Sequence, residues 1–97
     1  MRRISNELTL KEAIEQLLNA YGMKDRINES RLINSWETVV GAMINRHTLD
    51  IHIKRKVLYV KVDSAALRNE LSYAKDKLIK NLNKYAGVYV IKEIVFT

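Results

Sequence analysis

His47, Asp50, His52 and Ser64 are the residues of this 97-residue chain whose types and spacing come closest to chemistry. A histidine oriented by Asp50 and placed beside Ser64 would begin a nucleophilic triad, and two nearby histidines would begin a metal site. Neither pattern is completed. His47 and His52 fall on opposite sides of an expected helix-to-strand junction, two ligands do not make a zinc site, and there is no cysteine to add a thiolate. No HExxH motif, paired acidic cluster or Gly-rich phosphate loop is present. The sequence therefore predicts a protein that is not an enzyme, with no metal, no cofactor and no small-molecule substrate.

The basic residues are better arranged. Residues 1–50 hold seven Lys/Arg and seven Asp/Glu, whereas residues 51–97 hold ten and four, so the whole net charge of +6 lies in the second half. Such a half-domain is the electrostatic footprint of a polyanion binder, or of a module that meets an acidic protein. Lys54, Arg55 and Lys56 cluster at an expected hairpin tip, with Lys61 further along the second strand. Tyr73, Lys77, Lys80 and Lys84 recur at helical spacing opposite a leucine stripe. Tip and stripe together would straddle a phosphate backbone, with Tyr59 and Tyr73 placed to stack on unpaired bases. Arg2 and Arg3 would add phosphate contacts or nothing. The bland reading of the same residues is a solvated helix face and a charged turn.

The elements that must hold these residues follow from hydrophobic period. Thr9 and Glu12 form a capping-box pattern ahead of Leu10, Ala13, Ile14, Leu17, Leu18 and Tyr21, and Gly22 is the expected stop. A second helical run carries Ile27, Leu32, Ile33, Trp36, Val39, Val40, Met43 and Ile44, broken at Gly41. After Thr48 the period becomes two: Leu49, Ile51 and Ile53, then Leu58, Val60 and Val62, predict a hairpin with one buried face. Asp63 or Ser64 caps the next helix, expected to be the longest, with Leu67, Leu71, Ala74, Leu78 and Leu82 inward and Gly87 at its end. "VYVIKEIVF" reads as a last strand with Ile94 and Phe96 inward, a face that Ile91 fits only with a bulge. The order α-α-(α)-β-β-α-β gives an α+β, two-layer domain with a three-stranded, mixed sheet and helices on one face.

Residues 1–97 are expected to form a single domain, since the chain has no proline, repeat or linker-like segment. No window approaches a membrane span and the N-terminus lacks the apolar core of a signal peptide, so a cytoplasmic protein is expected.

With that order in place, Trp36, Val39, Val40, Gly41, Ile44, His47 and Thr48, followed by "VLYVKVDSAALRNEL" and "VIKEIVF", resemble the bacterial DciA family of replicative-helicase loaders over nearly the whole chain. The resemblance implies a KH-like fold, binding to the replicative helicase, and affinity for single-stranded DNA, with RNA as an open alternative. It also implies a short form of the family, without the tail of longer relatives and, lacking cysteine, without a zinc ribbon. KH domains proper grip nucleic acid with a G-x-x-G loop. None exists among Gly22, Gly41 and Gly87, so binding would use another surface. Trp36 is expected in the core. Glu37, Arg46 and His47 are the exposed residues of this run expected to touch a partner. The functional expectation is a DNA-replication accessory that binds helicase and single-stranded DNA; the alternative is a protein-binding adaptor without nucleic-acid affinity.

Overall fold

The computed structural model describes residues 9–97, so Arg2 and Arg3 lie outside the described residues. The elements run α1 (Leu10–Asn34), α2 (Trp36–Val40), α3 (Ala42–Arg46), β1 (Thr48–Lys54), β2 (Val57–Val62), α4 (Ala65–Ser72), α5 (Lys75–Ala86) and β3 (Glu93–Phe96). This is the expected α+β order with its last helix in two pieces.

The start of α1 is the capping box read from the sequence: Glu12 N–H donates to Thr9 Oγ1 at 3.0 Å and Thr9 N–H donates to Glu12 Oε1 at 3.2 Å. The expected stop at Gly22 does not occur. The helix runs through it for 25 residues and ends at Ser35, whose hydroxyl donates to the Leu32 carbonyl at 2.6 Å. A lone glycine inside a helix costs about 1 kcal/mol relative to alanine, and the helical period on both sides outweighs it. α1 is thus the longest element, and its first half projects beyond the body. The molecule measures 65 × 21 × 19 Å, with a radius of gyration of 18.3 Å where a compact chain of this length would have about 12.5 Å.

The stop does come at Gly41, whose φ of 94° and ψ of 164° belong to a region open essentially only to glycine. A Cβ there would meet nothing within 4 Å, so conformation and not close packing requires the glycine.

The sheet has the order β1-β2-β3, with β1 antiparallel and β3 parallel to β2. Leu58, Val60, Val62 and Ile94 point inward against Leu32, Trp36, Leu71, Leu78, Leu82, Ala86 and Ile91, which together form one buried cluster. The register shifts between Thr48 and Asp50, so Leu49 is the extra residue of a bulge and is exposed rather than inward as alternation predicts. The helix expected over residues 64–86 breaks at Tyr73 and Ala74, whose N–H groups donate to the i−3 carbonyls of Glu70 and Leu71. Ser64 is the N-cap of α4, accepting from Leu67 N–H at 3.2 Å, and Gly87 closes α5 at φ 83°.

β3 is shorter than expected because Val90 and Ile91 are held by a side chain instead of a strand. Asn83 Oδ1 accepts from both of their N–H groups at 2.9 and 3.0 Å, and Asn83 Nδ2 donates to the Ile91 carbonyl at 2.9 Å. Ile91 is therefore buried without a bulge.

Candidate nucleic-acid and partner interface

The helices cover one face of the sheet and leave the other open. On the open face a row runs across all three strands from His52 through Tyr59 to Val95, set by the pairings His52↔Tyr59 and Tyr59↔Val95. The His52 and Tyr59 rings stack with centroids 5.1 Å apart at 14°. His52 Nδ1 is 2.8 Å from Asp50 Oδ2, which fixes the imidazole on the tyrosine. Lys61 stands opposite Asp50, and Lys54 opposite Val57. Half-buried Tyr59 thus presents an aromatic surface between two exposed lysines, a geometry suited to an unpaired base with its phosphate.

Arg55 and Lys56 form the two-residue turn between β1 and β2 with φ values of 53° and 65°. Left-handed conformations at both positions are those of a type I′ turn, which matches strand twist but favours Asn and Gly. Arg55 is exposed. Lys56 is not the free tip residue expected: its Nζ lies 4.5 Å from the centre of the Tyr89 ring, beside Asp25, Asn28 and Glu29 in a cleft of about 90 Å³. Its carbonyl accepts from Lys92 N–H at 2.8 Å, which ties the turn to the segment entering β3.

Lys77, Lys80 and Lys84 are exposed along α5, on the side away from Leu78, Leu82 and Ala86. Tyr73 is exposed at the break between α4 and α5. The fold therefore separates what the sequence suggested as one groove. Lys54, Tyr59 and Lys61 project from the open sheet face, whereas the α5 lysines lie on a helix packed against the other face. No described lysine or arginine lies within ion-pair distance of a described carboxylate, so among the described residues the positive charge of the second half is not paired off.

Around the α2–α3 corner, Glu37 and Arg46 are exposed. His47 Nδ1 sits 2.8 Å from Asp63 Oδ1, while Asp63 N–H donates to the His47 carbonyl at 3.1 Å, so this pair clamps the entry of β1 to the exit of β2. Asp50 serves His52 and not His47, and Ser64 caps a helix. No three described His, Cys, Asp or Glu residues group in a way that could hold a metal ion. No described helix is long and apolar enough to cross a membrane.

Sequence reasoning missed a basic cleft between α4, α5 and β3. Arg68, Asn69 and Ser72 of α4, Lys75 of α5 and Phe96 of β3 line a space of about 360 Å³, and the buried Arg68 Nε has no hydrogen-bond partner there. The signal was present, since Arg68, Ser72 and Lys75 follow an i, i+4, i+7 spacing, but Arg68 lies between two inward leucines and reads as part of their helix.

Residues 9–96 match a family model described as Dna[CI] antecedent, DciA. No curated protein matches the chain.

Proposed function

The chain belongs to the DciA family, which is linked to helicase loading in DNA replication, and from that premise we propose that it is a non-enzymatic replication accessory of the bacterial cytoplasm that binds both the replicative helicase and single-stranded DNA. The observation that carries the DNA arm is the charge of the second half, not paired off among the described residues and ordered into a line on α5 at Lys77, Lys80 and Lys84 and into two lysines beside a stacked aromatic pair on the open sheet face. A polyanion supplies what the described residues do not, and condensed counter-ions released from phosphates provide the driving force. The α5 row and Lys54 with Arg55 and Lys61 hold the phosphates in this reading; Tyr59 and Tyr73 stack on bases, and Lys56 acts through Tyr89. Glu37, Arg46 and His47 form the helicase-facing corner.

The test is a titration of single-stranded DNA at several salt concentrations. The six cations assigned to phosphates imply a slope of log affinity against log salt of up to about 4, and replacing Lys77, Lys80 and Lys84 together by alanine lowers it by about 2. Helicase retention by immobilised protein is measured in parallel, with Arg46→Glu expected to weaken it and leave the salt slope intact. Absent DNA binding at low salt with retained helicase binding makes the chain a protein-binding adaptor. Loss of both removes the proposal.

A further inference from the structure

The first half of α1 carries an apolar stripe that no other described element covers. Leu10, Ile14, Leu17, Leu18 and Tyr21 are each between 47% and 78% exposed. At 100° per residue they occupy an arc of about 100° that also contains Asn28 and Leu32, the part of the helix that packs on the body. The stripe is therefore one continuous face whose inner end meets the core and whose outer end runs past the edge of the domain into solvent.

We propose that this face pairs with the same face of a second copy, with the two α1 helices antiparallel about a two-fold axis between Leu17 and Leu18. Three observations select this occupant. The face is self-complementary in this register: Leu17 meets Leu18 of the second copy, Ile14 meets Tyr21, and the end residue Leu10 falls beside Asp25, so each large apolar side chain but the last finds another. The charges agree as well. Lys11 and Asp25 lie on the same flank of the stripe, and the antiparallel arrangement sets Lys11 of each copy against Asp25 of the other, whereas a parallel pair would leave the two about 21 Å apart along the axis and unable to meet. The area is adequate: on the order of 100 Å² uncovered per side chain gives a paired stripe about 1,000 Å², the lower limit for a specific contact, which implies a reversible dimer. An isologous contact of this kind closes on itself and leaves the two bodies at opposite ends, each with its sheet face and α5 row free.

Sedimentation equilibrium from about 10 µM to 1 mM tests the arrangement over the range expected for so small an interface. The wild-type chain should pass from monomer to dimer within it, and Leu17→Glu with Leu18→Glu should remain monomeric at the highest concentration with unchanged thermal unfolding of the monomer, because both side chains are exposed there. Lys11→Asp should raise the dimer dissociation constant about three- to tenfold, and Lys11→Asp with Asp25→Lys should restore it. A wild-type chain monomeric throughout overturns the proposal, as does a dimer that survives the double glutamate change. Failure of the charge reversal to restore affinity overturns the antiparallel register. If the wild type stays monomeric and the double glutamate variant loses helicase retention, the stripe belongs to a different protein's helix.

Discussion

Trp36 Nε1 donates to Thr48 Oγ1 at 3.0 Å, and the same oxygen donates onward to the Ile44 carbonyl at 2.8 Å, so the only tryptophan of the chain, Trp36, is wired across twelve residues to the start of β1 and the end of α3. The indole is 1% exposed. Thr48→Val keeps the shape and leaves the indole N–H and the Ile44 carbonyl without this partner, at an expected loss of about 1–3 kcal/mol in urea unfolding, whereas Thr48→Ser should retain most of the stability. Trp36→Ala should cost about 3–5 kcal/mol. A Thr48→Val protein as stable as wild type would show that the relay is idle.

Gly22 and Gly41 should respond to alanine with opposite signs. Gly22 lies in regular helix with open space where a Cβ would go, so Gly22→Ala should stabilise by about 0.4–1 kcal/mol. Gly41 has φ 94°, and Gly41→Ala should destabilise by about 1–3 kcal/mol through backbone strain alone. Thermal melts of the two variants, compared with wild type, decide the matter.

Asn83 stands in for a strand. Asn83→Ala orphans two N–H groups and one carbonyl of Val90 and Ile91, with an expected destabilisation of about 2–4 kcal/mol, while Asn83→Asp restores the accepting oxygen and loses only the donor. The ordering Ala worse than Asp, read from denaturant midpoints, is the outcome to check; equal midpoints would contradict it.

The left-handed turn at Arg55 and Lys56 holds residues that a tight hairpin does not favour. Arg55→Asn should therefore stabilise the fold by about 0.5–1 kcal/mol while lowering DNA affinity at low salt. Lys56→Gly gains the same backbone relief but gives up the contact with Tyr89, so its net change should be smaller. Chemical unfolding and DNA titration on the same two proteins separate the terms.

Glu12 carries the one pH dependence that the geometry specifies. The Thr9 hydroxyl, and then the Thr9 backbone N–H, hold its carboxyl below the usual carboxylate range. A depressed folded-state value means stabilisation that is present above the ordinary carboxylate range and lost as pH falls through the depressed value. The carboxyl resonance of Glu12 should therefore titrate below the usual carboxylate range, and Thr9→Ala should return it to that range.

Local signals were legible where one or two side chains decide the backbone: the Thr9–Glu12 box, the cap at Ser64, the turn at Arg55 and Lys56, and the helix stop at Gly87. The stop assigned to Gly22 failed because a glycine ends a helix only when a left-handed residue is needed there, and the period of Leu17, Leu18 and Tyr21 continues on one face to Leu32. Neither the break at Tyr73 nor the Leu49 bulge has a glycine or proline to announce it. The candidate site was legible as residue types and not as a surface, since exposed Lys61 and Lys77 look alike in sequence but project from opposite layers. Tyr89 and Arg68 became visible only when the turn and β3 supplied their neighbours.

The long first helix is one element in its geometry and two in its opening energetics. Toward Asn34 it is anchored through Leu32, so those amides become accessible to solvent exchange only when the core itself opens. From Leu10 to about Tyr21 no side chain is buried, and a helical stretch shorter than ~12–15 residues is marginal by itself in water. Exchange protection should therefore climb along α1 from its capping box to Leu32 by several orders of magnitude, with no break in the hydrogen-bond ladder to mark the change.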